Sequence, residues 1–217
     1  MKRIDISSWK RREQYELFKD YRVPCYSVTA RIDVTPLMRF HERGGRLFDA
    51  MLYSVYRGMS SVEEMRMRID AQGVMLYECI NPVFTVALDN GSYASARIEP
   101  HTDYHDFSMA VRRAIVETKS TMRGKKFDDG RTDDFYCSCL PALDFTAIEQ
   151  PVSANPFVSS IPMAVWGKMV KKGERYEASL QITVHHALVD GMPLSAVFEN
   201  IQGYINEFDE RMMETDE

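Results

Sequence analysis

The sequence predicts an α+β domain in which a mixed, largely antiparallel sheet is flanked by helices. Three observations carry this. Apolar residues recur at helical spacing in some segments and at period two in others. The two kinds of segment are intermixed without the strand–helix–strand alternation of a doubly wound sheet. Neither a GxGxxG nor a GxxxxGK-S/T motif occurs, so the usual sequence signals of dinucleotide and P-loop folds are missing.

Taken in chain order, charge and apolar residues alternate at helical spacing from Arg12 to Phe18, with Ser7 or Ser8 as the expected cap. Cys25 to Val34 alternates with period two and reads as a half-buried strand. Thr35 to Met59 is helical in pattern but interrupted by Gly44-Gly45, whose backbone freedom predicts two helices or a bend. From Arg66 to Ile98 short β-branched and aromatic runs form a meander, with Asn90-Gly91 suited to a tight hairpin turn. Asp106 to Met122 places Phe107, Ala110, Val111, Ala114, Ile115 and Thr118 on one helical face. Strands return at Phe135–Cys139, Pro162–Val170 and Arg175–His185, and Pro193 sits in the first turn of an amphipathic closing helix.

The 217 residues carry 27 Lys plus Arg against 32 Asp plus Glu, a formal charge of −5. That balance, without a basic cluster, argues against nucleic-acid binding, which relies on lysines and arginines displacing counterions. With 45% hydrophobic residues the chain can fill one core, so a single domain is expected over residues 1–210, with an acidic frayed tail at 211–217. The N-terminal segment is positively charged but lacks the apolar stretch of a secretory signal, and no run approaches the ~20 apolar residues that span a bilayer. Cys25, Cys79, Cys137 and Cys139 have no paired CxxC spacing, so reduced thiols in a cytoplasmic protein are expected. The 14 methionines read as adaptable core filler.

The chemistry-bearing segment is His185-His186-Ala187-Leu188-Val189-Asp190-Gly191, at a strand end. An imidazole there can reach a cleft and accept a proton at neutral pH. Both histidines are equally explicable as structural groups hydrogen-bonded at the end of a sheet. A metal site would want three or four donors, and His186 with Asp190 supplies two. A Ser138–His186–Asp190 triad would lack a GxSxG elbow. Direct acyl transfer needs only a base, an oxyanion donor and room for two substrates.

HHALVDG resembles the HHxxxDG signature of coenzyme A-dependent acyltransferases. The surrounding chain resembles the chloramphenicol acetyltransferase family, of the trimeric, catalytic-histidine kind, almost end to end. The matching segments are Trp9-Lys10-Arg11-Arg12-Glu13, Val23-Pro24-Cys25, Ile32-Asp33-Val34-Thr35, Arg66-Met67, Phe84-Thr85-Val86 and Ser138-Cys139-Leu140-Pro141. The resemblance implies that fold and a direct transfer of acetyl from acetyl-CoA to a hydroxyl of chloramphenicol or a similar small molecule, without a metal. It implies His186 as general base, His185 as its structural neighbour and Ser138 as donor to the oxyanion. It further implies an Asp190–Arg11 ion pair holding the histidine loop, and an acceptor pocket built from Leu17, Phe18, Val23, Cys25, Tyr93, Phe127 and Ile148. The family's assembly is a homotrimer whose active sites lie at subunit interfaces.

The chain departs from the family pattern at Ala142 in place of tryptophan, Val165 in place of threonine and Met169 in place of tyrosine. Ile148 and Gln150 stand where an aromatic and an aliphatic wall residue are expected. Three functions therefore stand beside one another: a chloramphenicol O-acetyltransferase, the same mechanism with another hydroxyl or amine acceptor, and a non-catalytic binder of drug or coenzyme A.

Overall fold

A computed structural model describes residues 1–121 and 130–210. In chain order the elements are β1 (Lys2–Arg3), α1 (Arg12–Phe18), β2 (Cys25–Asp33), α2 (Thr35–Glu42), α3 (Leu47–Ser60), β3 (Met67–Asp70), β4 (Gly73–Leu76), β5 (Asn81–Ala87) and β6 (Tyr93–Arg97). They continue with α4 (Tyr104–Thr121), β7 (Asp134–Cys139), α5 (Pro156–Ser159), β8 (Met163–Trp166), β9 (Val170–Lys172), β10 (Arg175–His185) and α6 (Gly191–Glu210). The main sheet runs β2-β10-β8-β7-β5-β6, with β9 paired to the start of β10. β7 is parallel to both β5 and β8, and the remaining pairs are antiparallel, so the sheet is mixed and largely antiparallel as the sequence predicts.

The period of β10 explains how the sheet holds its helices. Ala178, Leu180, Ile182 and Val184 are buried on one face, within a continuous core that includes α3 and α6 side chains such as Met51, Leu52, Val55, Val197 and Ile201. Each fully buried side chain of this size contributes about 1.5–3 kcal/mol relative to exposure. α3 approaches α6 so closely that a Cβ at Gly58 would lie 2.3 Å from Ile201 Cγ1 and 2.8 Å from the Ile201 backbone nitrogen.

The opposite face of β10 is polar yet also buried: Ser179, Gln181, Thr183 and His185 alternate with the apolar set. The segment 143–148 covers part of it. The Ile148 N–H donates to Gln181 Oε1 at 3.1 Å, the Ser179 hydroxyl donates to the Phe145 carbonyl, and Arg31 pairs with Asp144. Ser179, Gln181 and Thr183 can be buried here because they find partners, whereas unpartnered polar groups cost roughly 1–3 kcal/mol each.

Most expected elements lie where the pattern puts them, including the break between α2 and α3 at Gly44, where φ is 93°. Four details differ. Ser7 and Ser8 do not cap α1; both hydroxyls donate to the Asp5 carboxylate, and Arg11 occupies the cap position without a side-chain bond to the helix backbone. The expected meander divides between two sheets: β3 and β4 pair with each other and β1, while β5 and β6 join the main sheet. The Pro162–Val170 strand breaks at Gly167, where a Cβ would lie 2.7 Å from the Leu143 carbonyl oxygen. The helix read from Asp106 begins two residues earlier, at Tyr104. Phe127, within 122–129, and the acidic tail at 211–217 lie outside the described residues.

Candidate active site

β10 ends at His185, and the chain turns at once into α6. The turn is held by backbone bonds from Leu188 and Val189 N–H to the His185 carbonyl, both 3.0 Å, and from the His186 N–H to the Pro24 carbonyl at 2.8 Å. Ala187, Leu188 and Val189 are buried, so the two histidines sit on a packed corner. His186 is part-exposed. Its ring stacks on Phe18, with centroids 4.0 Å apart and planes at 9°, and lies 4.7 Å from the Tyr26 ring. Its Nδ1 is buried without a hydrogen-bond partner, which leaves Nε2 as the nitrogen that can meet a substrate.

His185 has a different environment. It is 2% exposed, and its Nδ1 accepts from the Ala187 N–H at 3.2 Å, so the neutral ring carries its proton on Nε2. Burial, and then the neighbouring His186, lowers its pKa to about 4. His185 is therefore a neutral, buried group at pH 7.

The corner is tied to the N-terminal segment by Arg11 and Asp190. Arg11 Nη1 lies 2.7 Å from Asp190 Oδ2, with the side chains 9% and 32% exposed. Asp190 also starts α6: its Oδ1 accepts from the Met192 N–H at 3.3 Å and its carbonyl from Leu194 at 3.1 Å. Arg11 Nε and Nη2 are buried and without partners, so Asp190 is the carboxylate that offsets this guanidinium.

Ser138 lies elsewhere, in the wall of a cavity of about 600 Å³ on the covered face of the sheet. Its hydroxyl is 3.2 Å from that of Thr85 on the neighbouring strand. The cavity is mostly apolar, with Tyr93, Val83, Tyr136, Ile161 and Met163 among its walls, and its size suits a drug-like ligand. Ladder register extends this hydroxyl row across the sheet: Thr85 opposes Ser95, Ser138 opposes Val165, Val165 opposes Gln181 and Gln181 opposes Thr29.

The same register separates Ser138 from the histidine corner. His185 is four residues along β10 from Gln181, and β10 is two strands from β7. At ~3.3 Å per residue and ~4.8 Å per strand the Cα atoms of Ser138 and His185 are roughly 16 Å apart. Neither Phe18 nor Tyr26, the rings against His186, lines the Ser138 cavity.

The expected acceptor residues divide accordingly. Phe18 packs on His186; Leu17 and Val23 are exposed in the same N-terminal region. Cys25 pairs with His185 in the ladder and donates its thiol to the Ser159 carbonyl at 3.3 Å. Tyr93, 68% exposed, lines the Ser138 cavity, and Ile148 contributes its backbone N–H to Gln181. Phe127 lies outside the described residues.

A family model described as chloramphenicol acetyltransferase matches residues 1–202. The chain belongs to the chloramphenicol acetyltransferase family. Among its relatives, chloramphenicol acetyltransferase 3 from Escherichia coli is 26% identical over 208 residues, covering 94% of this chain and 96% of that protein. A chloramphenicol acetyltransferase from Campylobacter coli is also 26% identical, over 94% of this chain and 98% of its own. A solved chloramphenicol acetyltransferase structure superposes with a TM-score of 0.82 at 26% identity, over 94% of this chain and all of that one. The same fold is shared with a dihydrolipoamide acetyltransferase from Azotobacter vinelandii, at a TM-score of 0.64 and 15% identity over 89% of this chain and 85% of that one.

Within this acetyltransferase family member, sequence reading missed Thr85 as a neighbour of Ser138. The signal was present in the matched Phe84-Thr85-Val86 run, but the pairing that brings two hydroxyls 53 residues apart together is a property of the parallel β5–β7 ladder.

Proposed function

We propose that the protein is a chloramphenicol O-acetyltransferase that transfers acetyl from acetyl-CoA directly to the substrate hydroxyl. The observation that carries this is membership of the family together with a part-exposed His186 on a rigid corner and a Ser138 hydroxyl facing a drug-sized cavity. Residues 1–210 act as one acyltransferase domain in the cytoplasm.

His186 Nε2 takes the proton from the acceptor hydroxyl as its oxygen attacks the thioester carbonyl carbon. The carbonyl π pair moves onto oxygen, and the Ser138 hydroxyl donates to that oxyanion. Collapse breaks the carbon–sulfur bond; the departing thiolate receives the proton from the His186 imidazolium, leaving an acetyl ester and free coenzyme A. No covalent enzyme intermediate and no metal takes part. The stacked Phe18 ring holds the plane of His186, and the Arg11–Asp190 pair holds its loop. His185, neutral and buried, packs behind the base and exchanges no proton with substrate.

The roughly 16 Å between the two halves of the site within one chain supports a homotrimer in which His186 of one protomer meets the Ser138 cavity of the next. A second reading keeps this mechanism and changes the acceptor; Gln150 and Val165 in place of the family's aliphatic and threonine residues favour it.

The test is coenzyme A release from acetyl-CoA with chloramphenicol as acceptor. Wild type turns over, and His186→Ala loses about 10²–10⁴-fold in kcat, the range of general-base contributions. Absence of turnover in folded wild type would overturn chloramphenicol as the acceptor.

A further inference from the structure

The cavity beside Ser138 contains an imbalance. Its walls are largely apolar, yet two of its residues hold buried polar atoms without any hydrogen-bond partner: Gln150 Nε2 and Ser95 Oγ. Ser95 is 2% exposed and stands opposite Thr85, at the end of the hydroxyl row that includes Ser138. Gln150 enters from the segment that leads into α5, on the stretch Gln150-Pro151-Val152-Ser153 that forms one cavity wall. An unpartnered buried amide is costly, and a carboxamide has a soft terminal torsion that lets it turn toward any acceptor placed within reach. Where the family pattern expects an aliphatic wall, this chain therefore keeps a hydrogen-bond donor in reserve.

We propose that Gln150 is a specificity-determining residue: its carboxamide N–H donates to an acceptor oxygen, carbonyl or nitro, on the substrate held in the cavity. The inference rests on the cavity being the acceptor site of the proposed transferase. It makes the preferred substrate a mostly apolar, drug-sized alcohol carrying a second oxygen apart from the hydroxyl that is acylated. Ser95, fixed on the sheet, is the second unpartnered polar group available to such a ligand. A site with a waiting donor discriminates strongly, because an analogue lacking the oxygen leaves that donor unpaired in an apolar wall.

The experiment compares chloramphenicol with two analogues, one with hydrogen in place of the nitro group and one with methylene in place of the amide carbonyl. Both kcat and KM are measured for wild type, Gln150→Leu and the near-isosteric Gln150→Glu. In wild type one analogue falls about tenfold in kcat/KM below chloramphenicol, one hydrogen bond's worth of discrimination. In Gln150→Leu that gap closes to within about twofold, and Gln150→Glu, which replaces the donor by a carboxylate, penalises chloramphenicol itself. An equal loss on all three substrates in both variants, or no change in the ratios, overturns the proposal. If wild type acetylates none of the three, the chloramphenicol reading fails on that result alone. The role of Gln150 is then decided by thermal stabilisation with paired benzyl alcohols, 4-nitro against unsubstituted and 4-acetyl against 4-isopropyl. A rank order that changes in Gln150→Leu upholds the role, and an unchanged one overturns it.

Discussion

Thr85 Oγ1 and Ser138 Oγ lie 3.2 Å apart on adjacent parallel strands, and the direction of the proton between them decides what Ser138 can do. If Ser138 donates to Thr85, its proton is engaged within the protein. If Thr85 donates, the Ser138 proton is free to point into the cavity, and the chain of two hydroxyls polarises the outer one.

An oxyanion donor requires the second arrangement. Thr85→Val keeps the volume and removes the hydroxyl, and it is expected to lower kcat by roughly three- to tenfold with KM little changed, since one neutral hydrogen bond is worth about 1 kcal/mol. Thr85→Ser restores most of the rate. Steady-state kinetics on the three proteins check this, and a change confined to KM would contradict it.

The Arg11–Asp190 pair has two separable parts. Asp190→Asn keeps a side-chain oxygen for the Met192 N–H but removes the charge opposite Arg11; Asp190→Ala removes both. The first is expected to cost roughly 1–3 kcal/mol, because a buried guanidinium loses its carboxylate while the site is part-open to solvent. The second costs about 1 kcal/mol more through the lost helix cap. Urea unfolding of the two variants measures the difference.

His185 supplies a pH dependence. Burial, then His186, holds its folded pKa at about 4, against 6.5 for a solvent-exposed imidazole such as that of the unfolded chain. Between those values the unfolded chain binds more protons than the folded one, so stability rises with pH, is fully present above about 6.5, and is lost as pH falls toward 4. Relative to His185→Gln, wild type is expected to lose on the order of 2 kcal/mol between pH 7 and 4.5. Parallel slopes for the two proteins in urea melts across that range would contradict it.

The separation of Ser138 from the histidine corner predicts complementation between inactive chains. His186→Ala and Ser138→Ala, each nearly inactive alone, are expected to regain activity when unfolded together and refolded as a mixture. In a ring of equal parts of both chains, about a quarter of the interface sites contain both intact groups. Mixing the variants without unfolding them serves as the control. No recovery in the co-refolded sample would place both groups in one chain's site.

The periodicities of single segments were legible without any fold. β10 runs from Arg175 to His185 as its alternation indicates, Gly44 separates α2 from α3, and HHALVDG marks the corner at the end of β10 on which the two histidines sit. These are local consequences of backbone sterics and side-chain period, which neighbouring residues dictate among themselves. The folded arrangement settled the rest. Ser7 and Ser8 had a closer carboxylate in Asp5 than any helix N–H, and the strand before Val170 yielded at Gly167 to a loop carbonyl from Leu143. Thr85 reached Ser138, and Gln150 was left with a buried, unpartnered amide nitrogen, through pairings and loop paths that join residues distant in the chain. Such contacts depend on which strands become neighbours, a choice made by the summed burial of the whole core and not by the pattern of any one segment.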